Sequence, residues 1–209
     1  MMDYLRDPEE IYAESFRIVR EEADLSSLPN SLHPVAVRMM HACGMTDLGD
    51  DLIFSGEIVE AAMSALKHGA PILTDSEMTA AAIQRAKLPN DNRIICTLNA
   101  RETPGLAQKL KTTRSAASVV LWRRELKDSV VLVGNAPTAL FALLEMLDRI
   151  DERPSALLAF PVGFVGARES KQELADNSRG VPFLTLRGRR GGSAIAGAAL
   201  NAILGQGSK

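Results

Sequence analysis

Five short apolar runs in the later two-thirds of the chain, each followed by a helical pattern, constrain the fold more than any other feature. They are APILTD (70–75), RIICTL (93–98), SVVLVG (129–134), ALLAFPVG (156–163) and PFLTLRG (182–188). Each is continuous rather than alternating, as a strand must be when both its faces are covered. Helical spacing recurs at about 76–87, 104–124, 137–149, 168–176 and 193–204. Strand and helix alternating in this way predict a parallel sheet with right-handed crossovers and helices on both faces. Five such units suit a flavodoxin-like, three-layer α/β/α fold with a five-stranded parallel sheet in the order 2-1-3-4-5, although periodicity alone does not fix the order. Ligands of such sheets bind at the carboxyl ends of the strands.

Residues 1–68 precede the first unit and read as an N-terminal helical extension. Asp7-Pro8-x-Glu10 offers an N-cap, a proline at the first helical position and a carboxylate at capping-box spacing. Tyr12, Phe16, Val19 and Ala23 follow at helical spacing. A second helix runs from about Leu32 to Cys43 and stops at Gly44. A third begins after Ser55, buries Ile58, Val59, Ala62, Met63 and Leu66, and stops at Gly69. The expected organisation is one domain over 1–209, with helices over 1–68 and five βα units over 69–205. A hydrophobic content of 46% supplies its core, while a net charge of -2 and only 4% aromatics oppose nucleic acid or an anionic membrane as partners. Cys43 and Cys96 share no motif spacing and read as reduced, buried thiols. The acidic start MMDYLRDPEE is unlike a signal peptide, and no apolar run reaches the ~20 residues of a membrane span. A cytoplasmic bacterial protein is expected.

His41, in RMMHACGM, stands out. At 100° per residue, Leu32, Val35, Ala36, Met39, Met40 and Cys43 form one apolar stripe, and His41 falls on the opposite side with Pro34, Val37 and Arg38. It lies in the last helical turn, where the dipole favours an imidazolium and Arg38, one turn back, opposes it, so the residue reads either as a general acid at neutral pH or as a solvated surface histidine. Metal binding is weaker, because His33, His41, His68 and the cysteines show no ligand spacing. The cobalt-ligating pattern D-x-H-x-x-G fails at Met39, where its aspartate would stand. A signalling receiver is excluded too, since the third strand ends in Gly134-Asn135 and the fifth in Arg187-Gly188 rather than in Asp and Lys. Arg187, Arg189 and Arg190 surround the glycines of GRRGGS, where backbone N–H groups suit an anion or simply form a tight turn. In TTRSAAS, Thr113 reads as an N-cap and Arg114 as a cation opposing the dipole, which suggests an anion to meet. Asn135 and Pro137 read as the cap and first turn of the next helix. One histidine, several arginines and no nucleophile–base pair suit a site that binds a polyanion and moves a proton.

Seven stretches, YLRDPEEIYAESFRIVREEADL, VRMMHACGM, GAPILTDSEM, TRSAA, VGNAPTALF, FPVGFVGARESK and RGRRGGSA, resemble the precorrin-8X methylmutase family in order and over nearly the whole chain. The resemblance implies a flavodoxin-like homodimer without cofactor or metal that binds a tetrapyrrole, precorrin-8X. It implies an isomerase of cobalamin biosynthesis that shifts a methyl group from C-11 to C-12 and releases hydrogenobyrinate. By the same resemblance His41 is the catalytic residue, and Ser15, Arg38, Thr113 and Arg114 contact the substrate. Such a migration needs a held macrocycle and one polarising proton, and arginines suit the acetate and propionate arms on its rim. The nearest alternatives are a cobalt-precorrin-8 methylmutase of the anaerobic pathway and a non-catalytic corrinoid-binding protein. HACGM resembles the cobalt-free branch, and a carrier has no use for an acid facing its ligand. A flavodoxin-like electron carrier is disfavoured by the scarcity of aromatics to flank a flavin.

Overall fold

Asp7 starts the first helix by accepting the Glu9 and Glu10 N–H groups at 2.9 Å on Oδ1, which satisfies two of the donors that a helix start leaves orphaned. The computed structural model describes residues 2 and 4–206. In chain order its elements are α1 (Pro8–Glu22), α2 (His33–Cys43), β1 (Leu52–Phe54), α3 (Ile58–Lys67), β2 (Ile72–Thr74), α4 (Glu77–Ala81), β3 (Ile94–Cys96), α5 (Thr103–Leu110) and α6 (Arg114–Val120). They continue with β4 (Val130–Val133), α7 (Pro137–Leu147), β5 (Ala156–Ala159), α8 (Ala167–Asp176), β6 (Phe183–Leu186) and α9 (Ser193–Gln206).

The sheet has six strands in the order β1-β6-β5-β4-β2-β3, not the expected five. β2 to β6 are parallel, and β1 lies antiparallel on the edge with Leu52 opposite Leu186. The extra strand is the three residues Leu-Ile-Phe between Asp50-Asp51 and Ser55-Gly56, too short to carry a period. Alternate residues of the central strands feed two cores. Val130, Leu132, Ala156 and Leu158 face α2, α3 and α9, whereas Val131, Val133, Leu157 and Ala159 face α7 and the buried Trp122. Helix α9 is buried from Ile195 to Leu204 because the sheet covers one side and α2 the other.

Two expected helices are interrupted, each for an identifiable reason. The pattern over 104–124 breaks at Lys111, which caps α5 in the left-handed region at φ 51°, and Thr113 then starts α6 afresh. The pattern over 76–87 yields only α4 and one 3-10 turn. Asn201 of α9 donates to the Ala82 carbonyl and accepts the Gln84 N–H, both at 2.9 Å, and so takes the backbone groups a longer helix would use. Cys43 and Cys96 are free thiols, half-buried rather than buried, and partial burial pushes both pKa values up.

Candidate active site

Helix α2 stands beside α9 and runs the other way. Its start lies by the end of α9, where Gln206 Nε2 donates to the Ser31 carbonyl at 3.2 Å. Its far end meets the loop before α9, where Arg190 donates to Asp47 at 2.9 Å. This direction carries the last turn of α2, and His41 with it, toward the carboxyl ends of the parallel strands. Gly44 closes that turn at φ 69°, a left-handed conformation that glycine adopts without steric cost.

Helix α1 lies across the face of α2 opposite its main stripe. Val37 is therefore buried, although the helical wheel leaves it exposed beside His41. His41 itself stays exposed. Its Nδ1 is hydrogen-bonded to Ser15 Oγ at 2.8 Å, and its ring stacks on Phe16 with centroids 4.7 Å apart and planes 23° apart. The Tyr12 ring meets it edge-on at 6.0 Å. Nε2 of His41 has no hydrogen-bond partner among the described residues. Arg38 donates to the Tyr12 hydroxyl and sits 6.0 Å from the Phe16 ring centroid. Ser15, Arg38 and His41, which the family resemblance names, thus lie in one cluster. Tyr12 and Phe16 complete it, and their i, i+3, i+4 spacing with Ser15 is visible in the sequence, where it reads as core packing. Tyr12 and Phe16 also border a groove of about 500 Å³ with Arg20, His33, Arg38 and Lys87.

Thr113 and Arg114 lie elsewhere, on the other face of the sheet. Thr113 Oγ1 accepts the Ala116 N–H at 3.1 Å, the expected cap, and is hydrogen-bonded to Thr138 Oγ1 at 2.8 Å. Arg114 reaches Asn99 Oδ1 at 2.6 Å and the Leu98 carbonyl at 3.2 Å. Neither residue contacts the His41 cluster. The cavity of about 600 Å³ between α5, α6 and α7 is lined by none of the expected site residues.

One strand-end carboxylate, an arginine and a lysine do structural work. Asp75, at the end of β2, accepts the Gly134, Asn135 and Ala136 N–H groups at 2.7–2.9 Å and the Thr79 hydroxyl at 3.1 Å. Asp75 thus organises the turn before α7, a role that the sequence assigns to Asn135. Burial pushes its pKa up, and these four donors pull the other way. In GRRGGS the second arginine is used internally: Arg190 pairs with Asp47 and Asp51. The buried Lys171 ammonium donates to the Arg190 carbonyl at 2.5 Å, and burial pulls its pKa down to about 8. Among the described residues no cluster of three His, Cys, Asp or Glu side chains could hold a metal ion, and no helix is long and apolar enough to cross a membrane.

Comparison with known proteins adds an independent observation. Residues 10–206 match the family model described as precorrin-8X methylmutase. The chain is 54% identical to a precorrin-8X methylmutase of Pseudomonas aeruginosa over 203 residues, covering 97% of this chain and 98% of that one. It is 35% identical to a cobalt-precorrin-8 methylmutase of Salmonella typhimurium, with 97% of each chain covered. The crystal structure of a precorrin-8X methylmutase from Thermus thermophilus superposes with a TM-score of 0.83 at 36% identity, covering 94% of both chains.

Proposed function

Because this chain belongs to the precorrin-8X methylmutase family, we propose that it is the isomerase that converts precorrin-8X to hydrogenobyrinate, moving a methyl group from C-11 to C-12 in cobalamin biosynthesis. The observation that carries the mechanism is the fixed imidazole of His41, tied at Nδ1 to Ser15 and stacked on Phe16, with Nε2 free. Nε2 lends a proton to the conjugated macrocycle, the methyl group migrates within the polarised π-system, and the same nitrogen takes a proton back as the product's conjugation forms. Nothing is gained or lost overall, as an isomerisation requires. Phe16 and Tyr12 supply apolar surface, while Arg38 offers a cation to a rim carboxylate. Thr113 and Arg114 serve the same substrate from the opposite face of the sheet.

The five parallel strands with helices on both faces are read as a flavodoxin-like unit over 69–205, extended by residues 1–68 within one domain. The exposed apolar side chains Ile11 and Ile18 of α1 support a homodimer that covers them. The difference between 54% and 35% identity favours the cobalt-free substrate over the cobalt-containing one. Mixing the purified protein with precorrin-8X and following the absorption spectrum tests the assignment. The spectrum of hydrogenobyrinate should develop; an unchanged spectrum, or turnover of the cobalt-containing ring alone, overturns it.

A further inference from the structure

The loop between β5 and α8 carries an apolar surface that the cluster around His41 does not use. Phe164 is 84% exposed, Val165 90% and Val162 41%, all within four residues at the carboxyl end of the sheet. Scattered single apolar residues on a surface are ordinary, but a contiguous set of this kind marks a contact.

The loop is held in this pose by its base. The Val162 N–H donates to the Asn135 carbonyl and the Gly163 N–H to the Arg189 carbonyl, both at 3.3 Å, and the Gly192 N–H donates to the Phe160 carbonyl at 2.8 Å. Gly163 at φ 140° and Gly166 at φ 79° bracket the two most exposed residues. A Cβ on Gly166 would lie 3.3 Å from the side chains of Phe141 and Pro137, so the loop sits tightly on the start of α7. The next residue, Thr138, is hydrogen-bonded to Thr113 at 2.8 Å, which makes the loop and the start of α6 neighbouring parts of one surface. The Arg189 guanidinium lies 5.2 Å over the Phe164 ring. Neither Arg189 nor Arg114 has a carboxylate partner among the described residues, whereas the adjacent Arg190 has two.

We propose that residues 162–166 form a binding plate for one face of the tetrapyrrole, with Phe164 and Val165 against the ring and Arg189 and Arg114 at its carboxylate rim. This rests on the function proposed above and adds to it a site for the apolar plane of the substrate. An apolar plate edged by unpaired cations complements an apolar disc edged by anions. It does not complement a second copy of itself, because in a twofold contact centred here Arg189 would face Arg189. A planar ring on Phe164 is also compatible with the guanidinium already stacked there.

The test compares the parent with a Phe164→Ala/Val165→Ser variant and with Arg189→Ala. The readouts are hydrogenobyrinate affinity by calorimetry, steady-state conversion of precorrin-8X, mass by light scattering, and melting followed by the buried Trp122. The double variant should bind about tenfold or more weakly, through lost apolar contact, with melting and mass unchanged. Arg189→Ala should bind several-fold more weakly, with a shallower salt dependence. Double-variant affinity within twofold of a parent that converts precorrin-8X overturns the plate and leaves the function standing. A halved mass with unchanged affinity also overturns it and makes the loop a contact between copies. A parent that neither binds hydrogenobyrinate nor converts precorrin-8X overturns the function and the plate together.

Discussion

His41 is exposed, and its neighbours orient it without burying it, so its removal should affect turnover far more than folding. His41→Ala should lower turnover ~10²–10⁴-fold, the usual worth of a positioned general acid, while leaving hydrogenobyrinate affinity and melting nearly unchanged. Turnover within a few-fold of the parent would assign the proton to another group. Lys171 behaves in the opposite way, contributing to the fold's pH dependence rather than to the chemistry. Its pKa falls from 10.5 to about 8 on burial, so the native state disfavours the ammonium. Below about 8 both states are protonated and the burial penalty is complete; between about 8 and 10.5 the unfolded chain binds more protons, and stability rises with pH. Urea midpoints at pH 7.5 and 10 should therefore show a gain in the parent that Lys171→Met lacks. Equal gains in both would place the lysine's titration outside the folding equilibrium. Asp75 presents only acceptors to four donors, so Asp75→Asn turns an amide N–H toward them. It should cost about 3 kcal/mol in denaturant unfolding, as expected for donors left unsatisfied around a buried charge site.

At the scale of elements, the sequence was most informative where apolar runs are long and least where a partner distant in the chain decides. β2 to β6 and the stop of α2 at Gly44 are legible because each depends on its own residues. β1 is not, since Leu52–Phe54 becomes a strand only by pairing with β6. Nor is the shortness of α4, imposed by Asn201 from α9. The cluster around His41 was half legible: Arg38 shares its helix, but the Phe16 stack exists only because α1 crosses α2. Lys111 shows the same limit in a single residue. Nothing local in QKLKTT announces a left-handed cap, yet Lys111 stands at φ 51° with ψ 45°. Lys111→Gly should thus stabilise the protein by about 0.5–1 kcal/mol by relieving the penalty of a Cβ in that region. A destabilised variant, by urea titration, would mean that the lysine side chain contributes more than its backbone costs.

For the whole molecule, the proposed twofold assembly gives a measurable mass. Light scattering at micromolar concentration should return twice the 22.5 kDa of one chain, and a value near 22.5 kDa would leave the apolar side chains of α1 facing solvent. The way the chain closes on itself also bears on how it is made. β1 pairs with β6, Leu52 with Leu186, and α2 lies against α9, the last helix of the chain. A ribosome adding roughly 5–20 residues per second needs on the order of ten seconds to travel from one strand of that pair to the other. Throughout that interval the face of α2 that packs on α9 lacks that partner, and the edge of β6 not held by β5 pairs with β1 from the waiting N-terminal third. The segment from α2 to β1 therefore depends on β6 and α9, and a ribosome stalled between them would leave an exposed apolar helix face for chaperones to shield.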